Sequence, residues 1–197
     1  MAVTMESIKE LRAMTGAGML DVKNTLAETE GDIQKAAQLL RERGIAKAGK
    51  KADRAATEGY VGSYIHHNGK IATLVELNCE TDFVARNPDF QQIAKDLAIH
   101  VSMANPSYKT PEDVPEDVIS QEREVLLNQA KEEGKPDNIA EKMVEGRINK
   151  FYQENCLTKQ AYIKDDSKDI EQLINESIAK IGENIQIGSY SRISIGE

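Results

Sequence analysis

The sequence predicts an α+β protein, in which a domain of three helices precedes a core with a three-stranded antiparallel sheet and packed helices. Apolar residues recur at helical spacing through the first 45 residues, and Asn68-Gly69 separates two runs rich in β-formers. A third alternating run lies near the C-terminus, after a long stretch with helical spacing. We therefore predict a three-helix domain at 1–45, a basic linker at 46–58 and an α+β core at 59–197, with strands at about 60–67, 70–79 and 185–194.

Composition describes an ordinary soluble globular protein of 197 residues, with 40% apolar and 29% charged residues. The net charge of −8 is uneven, because residues 1–55 have a balance of +2 and the remainder has −10. An acidic body argues against direct nucleic-acid binding and favours a protein partner. The sequence shows neither a membrane span nor the apolar segment of a signal peptide, so we expect a cytoplasmic protein.

The first domain shows three helices with recognisable boundaries. Thr4 is placed to cap the first helix, and the glycines of Gly16-Ala17-Gly18 break it. A second helix is predicted from about Met19 to Glu28, and a third begins after Asp32 and stops at Gly44. Three such short helices bury little surface, so we interpret this domain as a recognition module or adaptor without a catalytic cavity.

The hairpin is predicted with a type I′ turn, because Asn68-Gly69 tolerates the two positive φ angles that this turn requires. Alternation places one set of second-strand residues on a single face: Ile71, Thr73, Val75, Leu77 and Cys79. His66 and His67 enter the turn as neighbours on a strand, so they should point to opposite faces and not share a metal ion. An exposed hairpin tip is expected, where one of them could contact a partner.

The helices between strands two and three follow in order. Pro88 begins a helix that runs to about Met103, and a turn-rich connection leads to a helix from about Pro115 to Glu132. A further helix, separated from the last by Gly134 and Pro136, completes an antiparallel helical hairpin; its apolar residues are Met143, Val144, Ile148, Phe151 and Tyr152. Ser167 is predicted to cap the last helix, which ends at Gly182.

The corner between the second strand and the Pro88 helix contains Phe83, flanked by Asp82 and Arg86. Two interpretations remain open from position alone. Phe83 is either a core residue that seals the corner, as buried aromatic residues commonly are, or an exposed probe on a rigid loop. Composition does not decide between them.

No segment of the sequence indicates an enzyme. There is no nucleophile elbow, P-loop, dinucleotide fingerprint or paired-carboxylate site. Cys79 and Cys156 have no zinc spacing and are expected to be reduced structural thiols; a small enzyme that uses either with His66 lacks any sign of an activated nucleophile. The basic residues 47–54 have no interleaved aromatic residue, so a solvated linker or short helix is favoured over an RNA patch.

Several motifs, in order along the chain, resemble translation elongation factor Ts. These are Met14-Thr15-Gly16-Ala17-Gly18-Met19-Leu20-Asp21-Val22-Lys23, Gly31-Asp32, Thr81-Asp82-Phe83-Val84-Ala85-Arg86-Asn87, Ile139-Ala140-Glu141-Lys142-Met143-Val144-Glu145-Gly146-Arg147 and Gly182-Glu183-Asn184-Ile185. The resemblance implies a ubiquitin-associated-like three-helix domain followed by an α+β core. Longer members carry two core subdomains, whereas this chain is similar to the short form with one. The short form implies a homodimer, and the open edges of a three-stranded sheet place its contact at the sheet.

The resemblance also implies a function, guanine-nucleotide exchange on the GTPase elongation factor Tu, with no cofactor and no covalent catalysis. Thr81, Asp82, Phe83 and Val84 would disturb the partner's Mg²⁺ and phosphate site. Three residues of the first domain would meet a helix of the GTPase, and these are Arg12, Met19 and Leu20. His66 would meet the phosphate side of the partner. For Met19 and Leu20, packing in the core of the first domain remains an alternative to partner contact. The alternative function for the protein is that of an adaptor that tethers another protein partner.

Overall fold

The computed structural model describes residues 3–134 and 136–196, without the side chains of Asp137 and Asn138. Within these residues the fold has eight α-helices, one three-stranded antiparallel sheet and one two-stranded sheet, which confirms the α+β class. Residues up to Ile99, together with those from Gln172 onward, form one compact unit. His100–Glu171 form a second unit.

The N-terminal helices are α1 (Met5–Thr15), α2 (Met19–Glu28) and α3 (Ile33–Gly49). The predicted caps are confirmed, since Thr4 Oγ1 accepts from the Ser7 amide at 3.1 Å and Asp32 Oδ1 from the Lys35 amide at 3.0 Å. The three helices enclose a small apolar core that consists of Ile8, Leu11, Val22, Leu26, Ala36 and Leu40.

The predicted helix stop at Gly44 is wrong, because α3 continues through it to Gly49. A Cβ atom on Gly44 would lie 3.5 Å from the Cβ of Ala179, so this glycine lies at a close approach between helices. Ala179 belongs to α8 (Ile170–Ile181) and itself lies in the same unit as α3. A glycine that allows close packing cannot be distinguished from a helix stop by sequence alone.

The three-stranded sheet has the order β1 (Glu58–Ile65), β2 (Ile71–Cys79) and β5 (Gln186–Ser194), with both pairings antiparallel. Its inner face is buried as the alternation predicted, and the fully buried residues of β2 on it are Thr73, Val75, Leu77 and Cys79. Helix α5 (Pro88–Ala104) packs on this face through Phe90, Ala94, Leu97 and Ala98. Thr73 Oγ1 donates to the Ala98 carbonyl at 2.7 Å, which satisfies the buried hydroxyl.

The outer face of the same sheet is open and partly apolar. Val61 and Ile65 of β1, Leu74 of β2 and Ile193 of β5 are all exposed. Ala72 stands opposite both Ile65 and Ile193 in the register, so apolar side chains from all three strands share this face.

The hairpin forms as predicted, but its turn is not type I′. β1 ends at Ile65, and the turn runs from His66 to Gly69, whose amide donates to the His66 carbonyl at 2.8 Å. Only Gly69 has a positive φ in this turn, at 68°, and Asn68 Oδ1 accepts from the Lys70 amide at 2.9 Å. His66 and His67 lie in the turn and not in the strand, and the centroids of their rings are 4.2 Å apart. The prediction that the two side chains point to opposite faces is therefore wrong.

The second unit contains the predicted helical hairpin, formed by α6 (Glu116–Glu132) and α7 (Asp137–Asn155). Leu126, Val144 and Ile148 form its apolar cluster. The sequence did not predict the short strands β3 (Ala161–Tyr162) and β4 (Asp165–Asp169). The predicted capping role of Ser167 is wrong, because Ser167 lies within β4 and its hydroxyl donates to Asp165 Oδ1 at 2.6 Å.

Candidate protein-binding site

Phe83 lies on a one-turn helix, α4 (Asp82–Ala85), at the corner between β2 and α5. Thr81 caps this turn, and its hydroxyl accepts a long bond of 3.4 Å from the Val84 amide. Ala85 is the buried residue of the turn, whereas the Phe83 side chain is 81% exposed. The core interpretation of Phe83 is therefore wrong, because a single helical turn that buries Ala85 directs Phe83 to solvent.

The first residues of the corner are held by the carboxylate of Glu183, which lies 102 residues after Thr81 in the sequence. Glu183 Oε2 accepts from the amides of Glu80 and Thr81 at 3.1 and 3.0 Å, and Oε1 accepts from the Thr81 hydroxyl at 2.6 Å. The Cys79 thiol donates to the Thr81 carbonyl at 3.2 Å. The backbone immediately before Asp82 is thus fixed by charge-assisted hydrogen bonds.

The end of the corner is held by α5. Asn87 Oδ1 accepts from the Asp89 amide at 2.9 Å, which begins this helix, and Gln91 Nε2 donates to the Ala85 carbonyl at 3.1 Å. On the solvent side, Arg86 pairs with Asp82 at 2.9 Å. An exposed i,i+4 ion pair adds little stability, so the Asp82 carboxylate is free to exchange partners.

The other predicted contact residues are also accessible. Arg12 lies on the exposed side of α1, while Met19 and Leu20 begin α2 with exposures of 47% and 70%. Neither belongs to the core of the three helices, so the core-packing alternative is wrong for both. His66 is half-buried in the hairpin turn, where Tyr64 Oη lies 3.1 Å from its Nδ1.

The predicted residues therefore occupy three places: the β2–α5 corner, the α1–α2 turn and the hairpin turn. Glu183 was not among the predicted site residues, although it contacts the corner directly. The available sequence signal was the motif Gly182-Glu183-Asn184, which lies just before the last strand. A carboxylate between a helix end and a strand is common, so this signal did not identify its distant partner.

The two cysteines do not form a nucleophilic site. Burial raises the pKa of the Cys79 thiol to about 11, with smaller contributions from Glu183 and Glu58. Burial also raises the pKa of Cys156 to about 11, aided by the nearby Glu112 and Asp113. Activated cysteines have a lowered pKa, so both thiols have the properties of structural residues.

We expect both thiols to resist modification in the folded protein at pH 8, since a pKa near 11 leaves only about one thiol in a thousand ionised. Ellman's reagent should report little reaction over minutes in buffer and two thiols per chain in denaturant. Rapid reaction of either thiol in the native protein would contradict this assignment.

The described part of the chain, residues 3–134 and 136–196, has two further properties. No helix there is both long and apolar enough to cross a membrane. Residues 3–134 and 136–196 also contain no group of three or more His, Cys, Asp or Glu side chains placed to hold a metal ion.

Comparison with known proteins identifies the class. The family model described as Elongation factor TS matches residues 2–197. Elongation factor Ts of Syntrophomonas wolfei is 55% identical over 99% of this chain and 91% of its own length. The Geobacter sulfurreducens protein of the same name is 51% identical over 100% and 91%, and that of Fervidobacterium nodosum 50% identical over the full length of both chains. These matches define a translation elongation factor that takes part in protein biosynthesis. The chain belongs to the elongation factor Ts family.

Proposed function

We propose that this chain is the guanine-nucleotide exchange factor of the GTPase elongation factor Tu. It binds the GDP-bound GTPase, promotes release of GDP and allows GTP to load, and no covalent bond is made or broken. Family membership supports both the partner and the step. The observation that carries the mechanism is the 81% exposure of Phe83 on a corner held at both ends.

The corner acts on the site that holds the nucleotide. GTPases bind GDP through Mg²⁺ and through backbone amides around the phosphates, so moving either group weakens binding. Phe83 enters the partner beside the ion as an apolar wedge, and Asp82 adds a negative charge next to it. Thr81 and Val84 flank Asp82 and Phe83 in the corner. Because the corner is already ordered in the free protein, binding loses little entropy in fixing it.

The N-terminal domain supplies affinity at a second place. Met19 and Leu20 present apolar surface at the start of α2, and Arg12 presents a cation on α1. This combination suits an amphipathic helix of the GTPase. His66 meets the partner near the phosphate side. Affinity and exchange are thereby divided between different residues, which allows them to be tested separately.

Thermodynamic linkage explains how the cycle runs in both directions. If the factor weakens GDP binding by some ratio, GDP weakens binding of the factor by the same ratio. Each tenfold change in affinity corresponds to about 1.4 kcal/mol of binding free energy. Binding of the factor therefore ejects GDP, and incoming GTP ejects the factor, so one molecule can act repeatedly.

The test is release of a fluorescent GDP analogue from elongation factor Tu in a stopped-flow instrument. With excess unlabelled GTP present, we expect release to accelerate on mixing, and a substoichiometric amount of this chain to release the labelled GDP from all of the GTPase. Unchanged release would refute the proposal. Binding without acceleration would instead favour the alternative, an adaptor that tethers its partner.

We further propose that two copies associate through the open face of the sheet. Val61, Ile65, Leu74 and Ile193 give this face an apolar character that a monomer would leave in water. β1 and β5 are also edge strands, which proteins usually cover or pair. In a two-fold dimer each chain would cover this face of the other, because a two-fold interface is formed by the same surface of both chains.

We expect light scattering at micromolar concentration to give about twice the chain mass of 21.8 kDa. Leu74→Glu should give monomers, because it places a charge in the proposed interface. Val125→Glu is the matched control, since Val125 lies on α6 and is 51% exposed against 52% for Leu74. A monomeric wild-type chain at high micromolar concentration would overturn the dimer.

A further inference from the structure

Glu183 and Glu80 form a reciprocal pair of contacts between residues about one hundred positions apart. The Glu183 carboxylate accepts from the backbone amide of Glu80, and the Glu80 carboxylate accepts from the backbone amide of Asn184 at 2.7 Å. Each side chain thus satisfies the backbone of the other segment, as the two residues of a capping box do within one helix. This reciprocity locks the segment after β2 to the segment before β5.

The amides that Glu183 holds lie immediately before the wedge. β2 ends at Cys79, so the amides of Glu80 and Thr81 lie beyond the strand ladder. Glu183 Oε1 also accepts from the Thr81 hydroxyl, which itself caps α4. The direction of α4, and hence of Phe83, depends on the position of this cap.

Glu183 is in turn fixed by its own surroundings. Gly182 ends α8 with a φ of 93°, a conformation that favours glycine, and its amide donates to the Ile178 carbonyl at 2.9 Å. Asn184 is buried, and its Nδ2 donates to the carbonyls of Ala52 and Arg54 at 3.2 and 2.7 Å. The segment that carries Glu183 is therefore anchored on both sides.

We propose that Glu183 is a positioning residue for nucleotide exchange, whose carboxylate fixes the Thr81 cap and so aims Phe83 at the partner. The inference rests on the proposed function of Phe83. Glu183 acts through Thr81 and does not itself enter the nucleotide site.

The first test variant is Glu183→Gln, which keeps the length of the side chain. Its amide is uncharged and has one acceptor oxygen, so the amides of Glu80 and Thr81 and the hydroxyl of Thr81 can no longer all donate to this side chain. We expect GDP release from elongation factor Tu to slow by roughly tenfold, because small misplacements of an active group are costly. Hydrogen exchange of the segment that contains Glu80 and Thr81 should become faster. Affinity for the GTPase should change little.

The matched control is Asp113→Asn in the second unit. Asp113 Oδ2 accepts from the amide and the hydroxyl of Thr110 at 2.9 and 3.1 Å, the same two donors that Thr81 presents to Glu183. The variant removes an equivalent carboxylate from an equivalent threonine, but away from the corner. GDP release should therefore keep the wild-type rate.

A double-mutant cycle separates positioning from general destabilisation. If Glu183 acts through Phe83, Glu183→Gln should slow release in the wild-type background and have almost no effect in Phe83→Ala. An equal slowing in both backgrounds would overturn the inference. Thr81→Val removes the hydroxyl bond to Glu183 together with the cap bond that the same hydroxyl accepts from the Val84 amide. It should follow the same pattern and serves if Glu183→Gln fails to fold.

The outcomes distinguish this inference from the function on which it rests. If Phe83→Ala leaves release unchanged, the proposed function of the corner is wrong. If Phe83→Ala slows release but Glu183→Gln and Thr81→Val do not, the corner keeps its function and Glu183 does not position it.

Discussion

Phe83→Ala should slow GDP release from elongation factor Tu by an order of magnitude or more, while the melting temperature stays within a few degrees of wild type. The side chain is 81% exposed, so its truncation leaves no cavity in the fold. Binding to the GTPase should survive through the N-terminal domain. Asp82→Ala should act in the same direction but more weakly, because it removes a charge and leaves the wedge.

The chain provides a matched control for this substitution. Phe90 lies seven positions further along the chain, on α5, and is fully buried. Phe90→Ala should cost about 3–5 kcal/mol through the cavity it creates. A melting curve and a stopped-flow release rate on each variant separate the two roles. A large drop in melting temperature for Phe83→Ala, with near-normal release by the folded protein, would show that the wedge assignment is wrong.

Gly62→Ala should be among the most destabilising single-methyl additions in the chain. A Cβ atom on Gly62 would lie 2.1 Å from the carbonyl oxygen of Ala94 and 2.8 Å from the amide nitrogen of Lys95. These are backbone atoms of α5, so the clash cannot be relieved by rotating a side chain. We expect a loss of about 3 kcal/mol or more, at the upper end of overpacking costs.

Thermal unfolding measures this loss against an equivalent substitution without a clash. Gly49, the last residue of α3, has nothing within 4 Å of the position where a Cβ would stand. Gly49→Ala should leave stability unchanged or raise it by up to about 1 kcal/mol, because alanine is the better helix former. Equal melting temperatures for the two variants would contradict the close packing of β1 on α5.

Local signals predicted much of the fold. The caps Thr4 and Asp32 and the burial alternation of β2 follow from rules that involve only neighbouring residues, and each was confirmed. The strands β3 and β4 were missed because Asp165–Asp169 contains no apolar residue and no alternation. Their pairing depends on tertiary context, which overrides weak local preference.

The candidate site was predictable only in part, for the same reason. The motif around Phe83 marked the corner, but its position allowed both a buried and an exposed side chain. Exposure is decided by which residue of the α4 turn faces inward, and that residue is Ala85. Glu183 reaches the corner from 102 residues away, and a single sequence contains no signal for that contact.

The rate of GDP release with and without Mg²⁺ shows whether Phe83 works by disturbing the ion and phosphate site of elongation factor Tu. With millimolar Mg²⁺, wild type should release GDP about tenfold or more faster than Phe83→Ala. In excess EDTA the ion is already gone, and we expect this ratio to fall several-fold toward one. The same ratio under both conditions would contradict this mechanism.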